Sequence, residues 1–269
     1  MFGGVMTNAW IVATLVAIVC GVVGFFVVLR RASFAAHVLP LGAFPGAAAA
    51  SLLGVSELAG IVAFSGLGVF GISQLQRWER REVASALWLA AALALGTLLL
   101  SLTRQYSQSL YALLFGQVLG ISPGEILPVA ALSALAIAVT FALFRPLLLD
   151  SLSPELAEAA GVASRRMEFA FLAVLALSSA MALPLVGALM VFSLMVGPAS
   201  AARFLTDRPL AALALSVGLS LATVWGAIAL SYLSDWPVGF FVGTLGGLCY
   251  ALGRLRHRAA SARRLTGRS

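Results

Sequence analysis

Apolar runs long enough to cross a bilayer recur along this chain, separated by short loops that carry arginine. A hydrocarbon layer about 30 Å thick takes about 20 apolar residues in a helix, the one open-ended structure whose backbone groups are all bonded internally. On that measure the predicted spans are Asn8 to Leu29, Val38 to Val55, Leu58 to Leu75, Val83 to Leu102, Ile126 to Phe144, Glu168 to Leu183, Leu185 to Phe204, Leu210 to Leu233 and Val238 to Leu252. The expected fold is therefore all-α, a polytopic membrane helix bundle of about nine spans. An eight-span count stays open: of the two runs meeting at Pro184, the first has only about 16 residues and is interrupted by Ser178-Ser179. The run Tyr111 to Gly116 is too short to span and predicts a small helix on the outer side. With no soluble domain, low-complexity linker or strong internal repeat, residues 1–269 read as a single transmembrane domain.

Composition agrees with the pattern. Hydrophobic residues make up 61% of the chain and charged residues only 10%, against about 25% charged in a soluble domain. Mean hydropathy is +1.04. The first apolar run has no basic lead and ends at Arg30 and Arg31, not at a small-residue cleavage site, so it counts as a span and not as a signal peptide.

The formal charge of +7 changes the picture only through its placement. Arg30-Arg31, Arg77 to Arg81, Arg145 to Arg166, Arg203 to Arg208 and the tail from Arg254 all fall on one face if the spans alternate. Positive loops stay inside, which puts the amino terminus outside and the carboxyl terminus in the cytoplasm. Base-stacking aromatics are not interleaved with these arginines, so nucleic acid is not the expected partner. Cys20 and Cys249 both lie in apolar runs and read as small packing residues, not as a disulfide.

The longest polar insertion runs from Asp150 to Arg166. Ser153 is placed to cap a short helix, Pro154 to open it, Glu155 to sit near its positive end and Gly161 to close it. Such a helix either lies on lipid headgroups or receives force from a motor subunit. No phosphate-binding Gly-x-x-x-x-Gly-Lys-Ser/Thr loop, His-Glu-x-x-His pair or Ser-His-Asp set is present, His37 and His257 being the two histidines. The chain is not expected to be an enzyme, and any ATP must be hydrolysed elsewhere.

Four segments, in order, carry a family resemblance. Leu152 to Gly161, with its Ser-Pro-Glu-Leu-Ala-x-x-x-Gly core, resembles the coupling segment of permeases in the metal-ion ABC uptake family, the zinc and manganese importers. Val186 to Arg203 resembles their Gly-Ala-Leu-x-Val helix ending in Pro-Ala-x-x-Ala-Arg, and Ser231 to Gly239 their Ser-Tyr-x-x-Asp-x-Pro-x-Gly turn. Leu110 to Ser122 is similar to a fourth, outer segment. The resemblance implies a homodimeric permease that holds no permanent cofactor and passes a divalent metal ion inward. It also implies a metal-loaded extracytoplasmic binding protein docking outside and two ABC ATPase subunits pressing on Pro154, Glu155, Ala157 and Gly161.

One family segment departs. Where members usually read Gly-Asp-x-Leu-Ser-His-Ala, this chain has Ala36-His37-Val38-Leu39-Pro40-Leu41-Gly42, so His37 takes the aspartate position and Leu41 the histidine position. A histidine inside a membrane segment is a functional candidate by default, and neutral imidazole suits transition metals better than calcium or magnesium. His37 is thus either a metal contact or a side chain held by a backbone carbonyl. Pro40 and Pro45 imply a broken helix whose freed carbonyls line a pathway. Gly187, Pro198, Asp235 and Pro237 are the remaining gating and packing positions; Asp235 either attracts cations or caps the helix that follows. Gly187, Ala188, Gly197, Ala199 and Ala202 suit close helix packing and a dimer seam. Met181, Met190 and Met195 read as packing, and Glu57 and Glu125 as outer loop charges. The alternatives are a siderophore or cobalamin ABC permease, and an ion-gradient-driven secondary transporter, which would need intramembrane carboxylates that the spans almost wholly lack.

Overall fold

The computed structural model describes residues 4–75, 81–102, 116 and 122–266. Its order is α1 (Gly4–Leu29), α2 (Ser33–Gly42), α3 (Phe44–Leu53), α4 (Glu57–Leu75), α5 (Arg81–Ser101), α6 (Pro123–Ala142), α7 (Phe144–Leu152), α8 (Pro154–Ala159), α9 (Ser164–Val186), α10 (Ala188–Leu205), α11 (Pro209–Ser234) and α12 (Val238–Thr266), with no strand among the described residues. The expected outer helix at Tyr111 to Gly116 lies outside the described residues except for Gly116, as does most of the Arg77 to Arg81 loop.

Among the described residues eight segments are long and apolar enough to cross a membrane, with α2 and α3 together forming one of them. The apolar part of α10, Met190–Leu205, is shorter than these eight. The run expected to be weak is a 23-residue helix, α9. Ser178 and Ser179 do not interrupt it, because their hydroxyls donate to the carbonyls of Val174 and Leu175 at 2.7 and 2.8 Å. The break comes instead at Gly187, whose φ of 82° is a left-handed conformation suited to glycine.

α1 is apolar all round, and such a helix belongs in the interior. Val16, Phe25 and Val27 are fully buried, and α6, α9, α10 and α11 surround it. Glycines set the closest seams. A Cβ on Gly24 would stand 2.1 Å from the carbonyl oxygen of Met195 in α10, and one on Gly197 would stand 2.5 Å from that of Gly246 in α12. Ser216 of α11 donates to the carbonyl of Gly21 at 2.7 Å. The small residues of α10 are spent inside the chain: Ala188, Ala199 and Ala202 are buried, so a dimer seam would have to use another surface.

The second span starts at Ser33, five residues before the expected Val38, and breaks at Ala43. Pro45 has no N–H to give the Leu41 carbonyl, and the Ala43 N–H reaches back to Pro40 in a tighter turn at 3.3 Å. The break is held from outside by α5: Phe44 packs where a Cβ on Gly96 would sit 2.3 Å away, and the Trp88 indole fills the space beside Gly42, Gly68 and Gly71. Pro146 acts similarly between α6 and α7, so much of the expected 145–166 loop is helical.

Candidate functional site

Two regions carry the residues singled out in the sequence. The first is the α2 face. Ser33, His37 and Leu41 are its half-buried positions and, spaced by four, share one stripe of the helix. The His37 ring stands edge-on to Phe192 of α10, centroids 5.3 Å apart. Its Nδ1 is buried and makes no hydrogen bond, so the carbonyl-held alternative finds no partner at that atom. Among the described residues no group of three or more His, Cys, Asp or Glu is gathered to hold a metal ion.

Pro40 and Pro45 are buried on either side of the Ala43 break, and Pro198 is buried inside α10. Asp235 does not open α12. It ends α11 in a left-handed conformation, φ 58°, with its backbone N–H on the Ser231 carbonyl at 2.9 Å. Pro237 precedes α12 and is exposed. Glu125 is less free than a loop charge, since it accepts from the Ser122 N–H at 3.1 Å at the start of α6. Met181 accepts from the Ser133 hydroxyl at 3.2 Å in the core, and Met195 is fully buried.

The second region is α8. Ser153 accepts the Leu156 N–H at 3.4 Å, Pro154 occupies the first turn, and Gly161 closes the helix at φ 78°. Ala157 alone of its residues is buried; Pro154, Glu155, Leu156, Glu158 and Ala159 all stand out from the bundle. An exposed leucine beside two exposed carboxylates makes α8 a capped knob that projects from the bundle.

Beside α8, Arg30, Arg31 and Arg203 come together at one end of the bundle. A cavity of about 750 Å³ there is lined by Leu29, Arg30, Asp150, Pro154, Glu168 and Arg203 among others. Phe204 meets His257 of the tail at 5.7 Å. Arg30 itself is nearly buried. It pairs with Asp150 at 2.8 Å and Glu168 at 3.6 Å, donates to Ser151 at 3.3 Å, and lies 5.2 Å from the Phe171 ring centre. Sequence reasoning counted Arg30 only as a topology marker, because its partners lie more than a hundred residues away.

The projecting capped helix between α7 and α9 is where the resemblance placed the coupling segment, and comparison with known proteins bears out the resemblance. The profile of the ABC 3 transport family matches residues 4–253. The chain belongs to the ABC 3 transport family. Among curated relatives of this ABC 3 permease, the manganese transport system membrane protein MntC of Halalkalibacterium halodurans is 29% identical over 227 residues, 83% of this chain and 75% of that one. The high-affinity zinc uptake system membrane protein ZnuB of Haemophilus influenzae is 24% identical, covering 87% of this chain and 91% of that one. The solved structure of PsaBC from Streptococcus pneumoniae in complex with Fab superposes with a TM-score of 0.84 at 22% identity, over 93% of this chain and 91% of its own, and so shares the fold.

Proposed function

We propose that this ABC 3 permease is the membrane-spanning subunit of an ATP-driven importer of a divalent transition metal, manganese or zinc. It works as a homodimer in a bacterial plasma membrane, with the α8 end facing the cytoplasm and the amino terminus outside. Two ABC ATPase subunits dock on α8, and a metal-loaded binding protein docks on the opposite end. The chain is a single permease domain without ATPase activity or a resident cofactor.

Family membership across residues 4–253 carries the reading. The names of relatives such as MntC and ZnuB point to the cargo, and the exposed α8 knob points to the motor. His37 is the pathway's cation contact, with Pro154, Glu155, Ala157 and Gly161 forming the lever. One imidazole binds weakly, which suits a gate: the binding protein supplies affinity, ATP supplies direction, and a tight site in the path would trap the ion.

The test is uptake of radiolabelled manganese and zinc into liposomes holding the permease, its ATPase and its binding protein. Uptake that requires both ATP and the binding protein is expected. Uptake by the permease alone along an ion gradient would overturn the proposal.

A further inference from the structure

The Arg30 cluster does more than the topology of the chain requires. Arg30 sits one residue beyond the end of α1, and its guanidinium reaches the last turn of α7 and the first turns of α9, the two helices that flank α8. Asp150 also accepts the Ser164 hydroxyl at 2.5 Å, so one carboxylate ties together the two ends of the segment that carries α8. The side chains of Arg30, Asp150 and Glu168 are 7%, 3% and 14% exposed. Charges so far from water hold a fixed geometry, because separating them leaves each one buried and unpaired.

α1 is packed among α6, α9, α10 and α11, and the chain leaves it through an elbow at Arg31, whose φ of 54° is unusual for a non-glycine residue. Two residues later α2 begins, with His37 in its second turn. A push on α8 therefore has a short rigid route: through Asp150 and Ser164 to Arg30 at the end of α1, and round the adjoining Arg31 elbow to the face bearing His37.

We infer that Arg30 is a positioning residue for transport, the strut that makes α1 move with α8 when the ATPase closes. This rests on the function proposed above. Arg30 touches neither cargo nor nucleotide in this scheme; it converts hydrolysis into movement of the gate.

The experiment compares wild type, R30K and the triple variant R30Q/D150N/E168Q as whole complexes in liposomes, reading manganese delivered per ATP hydrolysed. The triple variant removes all three buried charges together and so avoids stranding any of them. It is expected to keep ATP hydrolysis within about twofold of wild type while manganese per ATP falls at least about tenfold, and R30K, a point charge in place of a fork, to lie between. A purely structural role would lower the amount of complex and leave that ratio unchanged; a ratio within about twofold of wild type overturns the strut. Should the triple variant fail to assemble, spin labels at Glu158 and Ile11 in the wild-type complex decide: a separation constant on ATP binding supports the strut, and a change beyond the about 2 Å of ordinary helix sliding overturns it. Wild-type vesicles lacking ATP-dependent uptake would instead remove the proposed function itself.

Discussion

Two glycines in neighbouring helices test the packing on which the gate depends, because adding the same methyl group should have opposite effects. In α1, a Cβ on Gly24 would lie 2.1 Å from the Met195 carbonyl oxygen, 3.0 Å from its carbon and 3.2 Å from its Cα. The obstacle is backbone and has no rotamer to yield, so α1 and α10 must part by about 1 Å to restore ordinary contact; overpacking of this kind costs about 1–3 kcal/mol. Alanine recovers up to about 1 kcal/mol of helix propensity, leaving G24A destabilised by up to about 2 kcal/mol. In α11, a Cβ on Gly218 meets nothing within 4 Å, so G218A keeps only the propensity gain. At about 2–4 °C per kcal/mol for a chain of this size, G24A should melt up to about 8 °C below wild type and G218A at or slightly above it. The measurement is the unfolding midpoint of the detergent-purified permease at one fixed scan rate, since irreversible unfolding makes midpoints rate-dependent. A G24A midpoint equal to or above that of G218A would show that the α1–α10 seam is not backbone-limited, and the reasoning would fail.

Further outcomes follow from single contacts. G161A places a side chain at φ 78° in open space, so its cost is backbone strain alone, about 1 kcal/mol, read as a drop of about 2–4 °C in the same assay, with G161N recovering much of it. S216A removes the 2.7 Å bond to Gly21 between α11 and α1 and should cost about 0.6 kcal/mol, the usual worth of a hydrogen bond between membrane helices; a cost above about 2 kcal/mol would mean that Ser216 does more than pair. H37A should slow manganese uptake about tenfold, the factor that about 1.4 kcal/mol of lost contact gives, while leaving affinity for the binding protein unchanged; undiminished uptake would take His37 out of the pathway.

What the sequence makes legible here divides by range. The spans, the Ser153 cap, the Gly161 stop and the proline break near residue 43 depend on neighbours within one or two turns, and the structure has them all. Boundaries slip where a local rule meets a choice of partner. Ser178 and Ser179 look like interruptions until their hydroxyls bond within their own helix, and Asp235 looks like the start of α12 until its backbone turns to close α11. Long-range pairing is not legible at all. Arg30 stands 121 residues from Ser151, and in a chain with so many arginines nothing local marks it as buried and paired. Likewise nothing around Trp88 announces that three glycines on two other helices leave room for its indole. The same division explains why the cargo path is the least legible part. A weak gate has no dense ligand cluster to leave in the sequence, only one imidazole and a break in a helix, and its behaviour is set by contacts that tie those features to a lever elsewhere in the chain. If Arg30 is that tie, mutating the gate and mutating the strut should give separable phenotypes: slower uptake at an unchanged metal-to-ATP ratio for H37A, and wasted ATP for the neutral triple variant. Identical phenotypes would mean that gate and lever communicate by another route.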